Sequence, residues 1–287
     1  MAETAGASGG AALAPLVRRH DRDRFLTALF APASSREALL ALYAFNYELA
    51  KTREVVSEPM LGRIRLQWWR DALDAVYAGD PPRRHEVVAP LAAAIRRHSL
   101  GRAHFDALID AREADLVDEA PASLAALETY AEASSARLVL LALEVLGESG
   151  DAAREAGRAI GIAYALSGLL RAVPFHARTR RLYLPRDLVA AAGLEVGRGL
   201  FELKPSPALR RVVEGVAARA GTHLAAAQAL RPRLSRAALP ALLPAVLARA
   251  DLARLARAGY DPFAPAIARP DPWRSWRLAL ASLRGRY

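Results

Sequence analysis

Apolar residues recur at three- and four-residue steps along almost the whole chain, the period of an α-helix with one buried face. Between residues 34 and 54 the series is Leu39, Leu42, Tyr43, Phe45, Leu49 and Ala50, with Ser35 ahead of an Arg-Glu pair as the expected N-cap. A second helix is predicted from Pro59, a residue suited to a first helical turn, through Leu66, Trp69, Leu73 and Val76. The run Gly79-Asp80-Pro81-Pro82 stops it. The same pattern predicts helices over 86–98, 101–118, 123–146, 151–172, 206–230, 235–258 and 272–284. Pro240 and Pro244 require a kink or two short helices within one of these. Only Arg181 to Leu184 has an extended pattern, closed by Pro185. No fixed-period repeat and no linker divides the chain. The pattern therefore predicts one all-α domain over residues 14–287 behind a disordered segment, 1–13.

Composition narrows the chemistry. With 287 residues, 53% of them apolar, a single helical core can be large. The absence of cysteine excludes disulfides, thiolate nucleophiles and Cys-ligated metals. No uncharged run reaches the ~20 residues that a bilayer-spanning helix needs. The N-terminus carries Glu3 and no basic residue ahead of its apolar part, unlike a secretory signal. The expected location is the cytoplasm, with peripheral contact at the inner membrane kept open. The net charge is +10, and only Lys51 and Lys204 of the basic residues are lysines. Such a surface attracts anions of any kind. No RRM signature, zinc finger or aromatic-basic stripe is present, so nucleic acid is not an expected partner.

Four segments together resemble the squalene/phytoene synthase family. They are Tyr43-Ala44-Phe45 with the helix running to Glu54; Arg65-Leu66-Gln67-Trp68-Trp69-Arg70; Ile109 through Asp115-Leu116 to Leu127-Glu128-Thr129-Tyr130-Ala131; and Gly161-Ile162-Ala163 leading to Leu170-Arg171 and Arg181-Leu182-Tyr183-Leu184-Pro185-Arg186-Asp187. The resemblance implies an isoprenoid-synthase-like helical bundle around a central cavity. It also implies head-to-head joining of isoprenoid diphosphates, with Mg²⁺ held by carboxylate pairs on facing helices.

Those pairs are broken here. Where the family's first motif has its leading Asp, this chain has Ala50, followed by Lys51; Glu54 is the only remnant metal candidate. At the second motif the matching positions are Ala165, Gly168, Arg171, Ala172, Val173 and His176. One Glu does not hold a multi-metal cluster, and Lys51 adds repulsion. Two unit charges ~4 Å apart oppose each other by roughly 4 kcal/mol at an effective dielectric near 20. The expectation is a non-catalytic chain with no cofactor, Mg²⁺ being needed only if a prenyltransferase activity survives. The small residues Ala50, Ala165, Gly168 and Ala172 would leave the cavity open to an isoprenoid, quinone or lipid.

The degenerate pattern itself resembles the branch of the family that contains the mitochondrial complex I assembly factor 6. Its carriers here are Ala44 to Ala50 with Val56-Ser57-Glu58, Leu170 to His176, Leu184-Pro185-Arg186-Asp187, and Asp261-Pro262-Phe263 with Trp276-Arg277. That branch implies complex I subunits or assembly intermediates as partners.

Individual residues keep two readings each. Glu54 is a remnant ligand or a helix-face charge. Arg171 holds an anionic headgroup or pairs with a buried Glu. Arg53, Arg180, Arg181 and Tyr183 are candidate anion or diphosphate contacts, as is Arg178, against a solvated loop cluster. His176 has no second His at helical spacing and is taken as structural. Trp68 and Trp69 are expected in the core. The basic, aromatic C-terminal run is expected to close the bundle with Trp276, Leu280 and Leu283 inward, the other reading being a helix lying on an anionic membrane.

Overall fold

The computed structural model describes residues 9–287, with side chains from Leu13 onward. Among the described residues every regular element is helical. The chain opens with α1 (Gly9–His20), α2 (Arg22–Ala28) and α3 (Ala33–Ala50), followed by one turn, α4 (Thr52–Val55), and the long α5 (Pro59–Ala78). Then come α6 (Val88–His98), α7 (Arg102–Ala114), α8 (Leu124–Ala131) and α9 (Arg137–Val145). The central α10 (Asp151–Arg171) leads into α11 (Val173–Arg178) and α12 (Arg186–Ala192). The last part holds α13 (Pro207–Leu230), α14 (Leu239–Leu242), α15 (Pro244–Arg257), α16 (Pro265–Ala268) and α17 (Arg274–Leu283).

Local chemistry explains most boundaries. Pro59 begins α5, and Gly79 ends it in the left-handed region at φ 87°. Ser123 and Ser206 cap α8 and α13 by accepting from the amides of Ala126 and Leu209. Pro240 and Pro244 do divide the 235–258 segment, each in the first turn of its own helix. Residues 181–184 are irregular, as the pattern predicts.

Several boundaries differ from expectation: the helix expected to run to Glu54 breaks at Lys51, and the one expected over 101–118 ends at Ala114. The helical body begins before residue 14: α1 opens at Gly9, and Leu13 is only 1% exposed in the core. The disorder expected for residues 1–8 lies outside the described residues. Ser35 is not an N-cap; Pro32 precedes α3, and Ser35 is buried inside it. The single helix expected over 123–146 is interrupted by a π-helical turn, Glu132–Ala136.

That turn has a packing reason. It presents Ala136 to Gly161 of α10, where an added Cβ would fall within 3.0 Å of the Ala136 backbone. The two helices approach this closely because Gly161 has no side chain to intervene. α10 also lies along α13 and α15, making it the axis of the bundle. On the other side, Phe45 of α3 meets Trp69 of α5 and Phe105 of α7 edge-on at 5.2 and 5.5 Å. Trp69 is fully buried, while Trp68 is partly buried beneath Arg83.

Candidate functional site

The first degenerate motif stands at the end of α3. Glu48, on the buried side of that helix, is 1% exposed. A carboxylate so buried needs charged partners. It has Lys51 one turn on, Arg65 of α5 at 2.6 Å and His85 at 3.9 Å. Lys51, at a position where the family has an Asp, thus supplies a covalently attached cation beside a carboxylate. It also lies over the Tyr47 ring, which stacks on His20 at 4.2 Å. Ala50 is partly exposed, and Glu54 is exposed on α4. Arg53 reaches Asp118 at 3.4 Å.

A second set of groups gathers around Asp115 and Asp118, just after α7. Asp115 accepts hydrogen bonds from Tyr130 Oη at 2.8 Å, Tyr183 Oη at 3.2 Å and Arg112 Nη1 at 3.0 Å. Burial first, then the nearby carboxylate, pushes the Tyr183 phenol up to about 12. His176 packs against Tyr183 with the rings tilted by 38° and centroids 4.5 Å apart, and its Nδ1 is buried without a hydrogen-bond partner. Burial, helped by Arg181 and opposed by Asp115, lowers His176 to about 4 and keeps it neutral. Arg181 Nε stands 3.6 Å from Asp118, the carboxylate that Arg53 also meets.

Arg53, Arg181, Tyr183 and His176 therefore come together, and each already faces a partner within the chain. Arg180 stands apart: at φ 54° it lies over the Phe201 ring at 5.7 Å. Arg171 goes elsewhere. Its Nη1 meets Asp251 at 2.9 Å and Asp23 at 3.6 Å, so its partner is aspartate rather than the expected Glu. Arg274 of α17 binds both carboxylates, at 2.6 Å to Asp23 and 3.0 Å to Asp251, and Tyr164 Oη donates to Asp23. Burial would raise Asp23, but the hydrogen bonds and charges of Arg274 and Arg171 outweigh it and lower the carboxyl. This network forms one wall of an open cleft of about 860 Å³ that Phe175, Arg178 and Phe263 also line.

Glu48, Asp23, Asp251 and Arg274 are structural charges that sequence reasoning missed. Each reads locally as an ordinary helix-face charge; apart from the Glu48–Lys51 pair, the partners that fix it lie far away along the chain. Asp115 had a signal, since it stands in the Ile109–Ala131 segment that carries part of the family resemblance.

The residues at the two motifs do not fit a magnesium cluster. Among the described residues no three His, Asp or Glu side chains gather as a possible metal-binding set. The nearby carboxylates Glu48 and Asp118 face lysine and arginine instead. Space does remain beside the second motif. Ala165, Gly168 and Ala172 are partly exposed, and a Cβ added at Gly168 would meet nothing within 4 Å. Next to it, Leu169, Leu170, His176 and Tyr183 enclose a gap of only about 10 Å³, room for about one water.

The chain is 35% identical over 95% of its length to the complex I assembly factor 6 of Bos taurus, covering 81% of that protein. It is 30% identical over 71% of its length to the presqualene diphosphate synthase of Rhodopseudomonas palustris, covering 72% of that enzyme. Its fold superimposes on a squalene synthase from Alicyclobacillus acidocaldarius with a TM-score of 0.79, at 20% identity, over 88% of this chain and 95% of that one. The sequence pattern that defines squalene/phytoene synthases matches residues 17–283, and the chain belongs to that family.

Proposed function

We propose that this chain is a non-catalytic member of its family that acts in the building of respiratory complex I. The observation that carries this reading is the internal neutralisation of the first-motif region. Lys51 and Arg65 occupy Glu48, and Arg53 and Arg181 occupy Asp118. A divalent cation arriving there would displace or oppose fixed positive charges, and ionising an allylic diphosphate needs that cation. The similarity to complex I assembly factor 6 over nearly the whole chain supplies the biological direction. Complex I subunits or their assembly intermediates are the partners in this reading. The open face of α10 around Gly168 is where an isoprenoid, quinone or lipid tail would lie.

Two measurements test it. Pyrophosphate release from farnesyl diphosphate is expected to stay at background with and without Mg²⁺, in protein shown to be folded by circular dichroism. Loss of the protein from its host is expected to lower assembled complex I on native gels, with Glu54→Ala restoring it as fully as the parent. Mg²⁺-dependent release that Glu54→Ala abolishes would overturn the reading in favour of prenyl transfer. That is the activity named for the presqualene diphosphate synthase relatives.

A further inference from the structure

The C-terminal helix is turned opposite to its expected orientation. Leu278 is fully buried and Ala281 packs on the core, whereas Trp273, Trp276, Leu280 and Leu283 are 61%, 71%, 47% and 77% exposed. At 3.6 residues per turn these four fall within about a quarter-turn of arc, so they form one continuous stripe on and just ahead of α17. Isolated exposed leucines are ordinary, but two tryptophans and two leucines aligned on one helix face are not.

The stripe is held rigidly. Arg274 ties α17 to Asp23 and Asp251, Tyr287 Oη donates to the Ala227 carbonyl at 2.8 Å, and Arg231 donates to the Gly285 carbonyl. Residues 272–287 contain no acidic side chain. Arg284 and Arg286 are exposed, and among the described residues no carboxylate pairs with either.

We infer that α17 is a membrane-docking helix that lays Trp273, Trp276, Leu280 and Leu283 into the headgroup boundary of an anionic bilayer. Tryptophan suits that boundary, having a large apolar ring with one polar N–H. The unpaired arginines beside the stripe match anionic lipid headgroups. Charge complementarity and shape favour a bilayer over a protein groove. Side chains this exposed stand clear of any groove wall, and residues 272–287 present no carboxylate side chain. No described helix is long and apolar enough to span a membrane, so the contact is peripheral. This inference does not depend on the complex I reading.

Flotation with phosphatidylcholine vesicles, with and without phosphatidylglycerol, tests it on the full chain. Binding is expected only to the anionic vesicles, and it should weaken as salt rises. The double variant Trp273→Ser/Trp276→Ser should lower that binding by roughly tenfold or more, and Arg284→Ser/Arg286→Ser by about tenfold. Both variants alter exposed side chains, and circular dichroism should show them folded. A second exposed apolar patch, Met60, Leu61 and Ile64 on α5, serves as the control. Leu61→Ser/Ile64→Ser is expected to bind like the parent. Absence of parent binding, undiminished binding by the tryptophan variant, or loss confined to the α5 variant would each overturn the inference.

Discussion

Replacing His176 by phenylalanine should remove a specific part of the chain's sensitivity to acid. The ring packs at a tilt against Tyr183 and has a buried, unbonded Nδ1, with Arg181 and Asp115 as its charged neighbours. Burial and Arg181 lower its pKa from 6.5 to about 4. The unfolded chain therefore takes up a proton near pH 6.5 that the folded chain refuses until about pH 4. Stability falls as pH falls wherever the unfolded state holds more protons, so the loss begins near 6.5 and grows towards 4. Integrating that difference from pH 8 to pH 5 gives a loss of about 2 kcal/mol attributable to this residue. Urea denaturation of parent and His176→Phe at a series of pH values measures it. Phenylalanine keeps an aromatic ring against Tyr183 but cannot titrate, and subtracting the two curves cancels the other histidines. The difference should widen by about 2 kcal/mol on acidification. Parallel curves would refute the argument, as would an imidazole resonance of His176 titrating near its ordinary value.

Other perturbations test the fold and the charge networks. Gly161→Ala places a methyl group against the Ala136 backbone and should cost about 3 kcal/mol by overpacking, read as a lowered denaturation midpoint. Gly168→Ala, on the same helix but facing open space, should instead be neutral or stabilising by up to ~1 kcal/mol. Glu48→Ala leaves Lys51 and Arg65 without their shared partner; because both are partly exposed, the loss should be about 2 kcal/mol, below that for a fully buried pair. Asp251→Ala unties Arg274 and Arg171, and should speed amide exchange in α17 before the rest of the bundle. Asp23 has a lowered carboxyl, so its stabilising effect is present above its ordinary value of 3.8 and is lost as pH falls through its lower folded value. Asp23→Asn should flatten that acid limb of the stability curve.

Much of the fold was legible because helical periodicity and punctuation are local. Pro59, Gly79, Pro240 and Pro244 act through the backbone conformations they require, and the structure places boundaries at or beside each of them. The family and the broken carboxylate pairs were legible for a similar reason, since residue types at motif positions can be read without coordinates. The π-turn at Glu132–Ala136 was not legible, because it answers to Gly161 on another helix.

By itself the sequence determined an all-α bundle, the residue types Ala50, Lys51, Ala172 and His176 at the motif positions, and a strongly basic chain. Only the tertiary structure decided how the remaining charges pair. It gave Arg65 to Glu48, Arg53 and Arg181 to Asp118, and Arg171 to Asp251. It also decided which face of α17 is buried. That helix has apolar side chains on two faces, so periodicity cannot choose between Leu278 and the Trp276, Leu280, Leu283 stripe. The choice is made by Arg274 meeting Asp23, at the opposite end of the chain, and Asp251. An ion pair between residues so far apart in sequence leaves no periodic trace, because its geometry exists only once the intervening helices have packed.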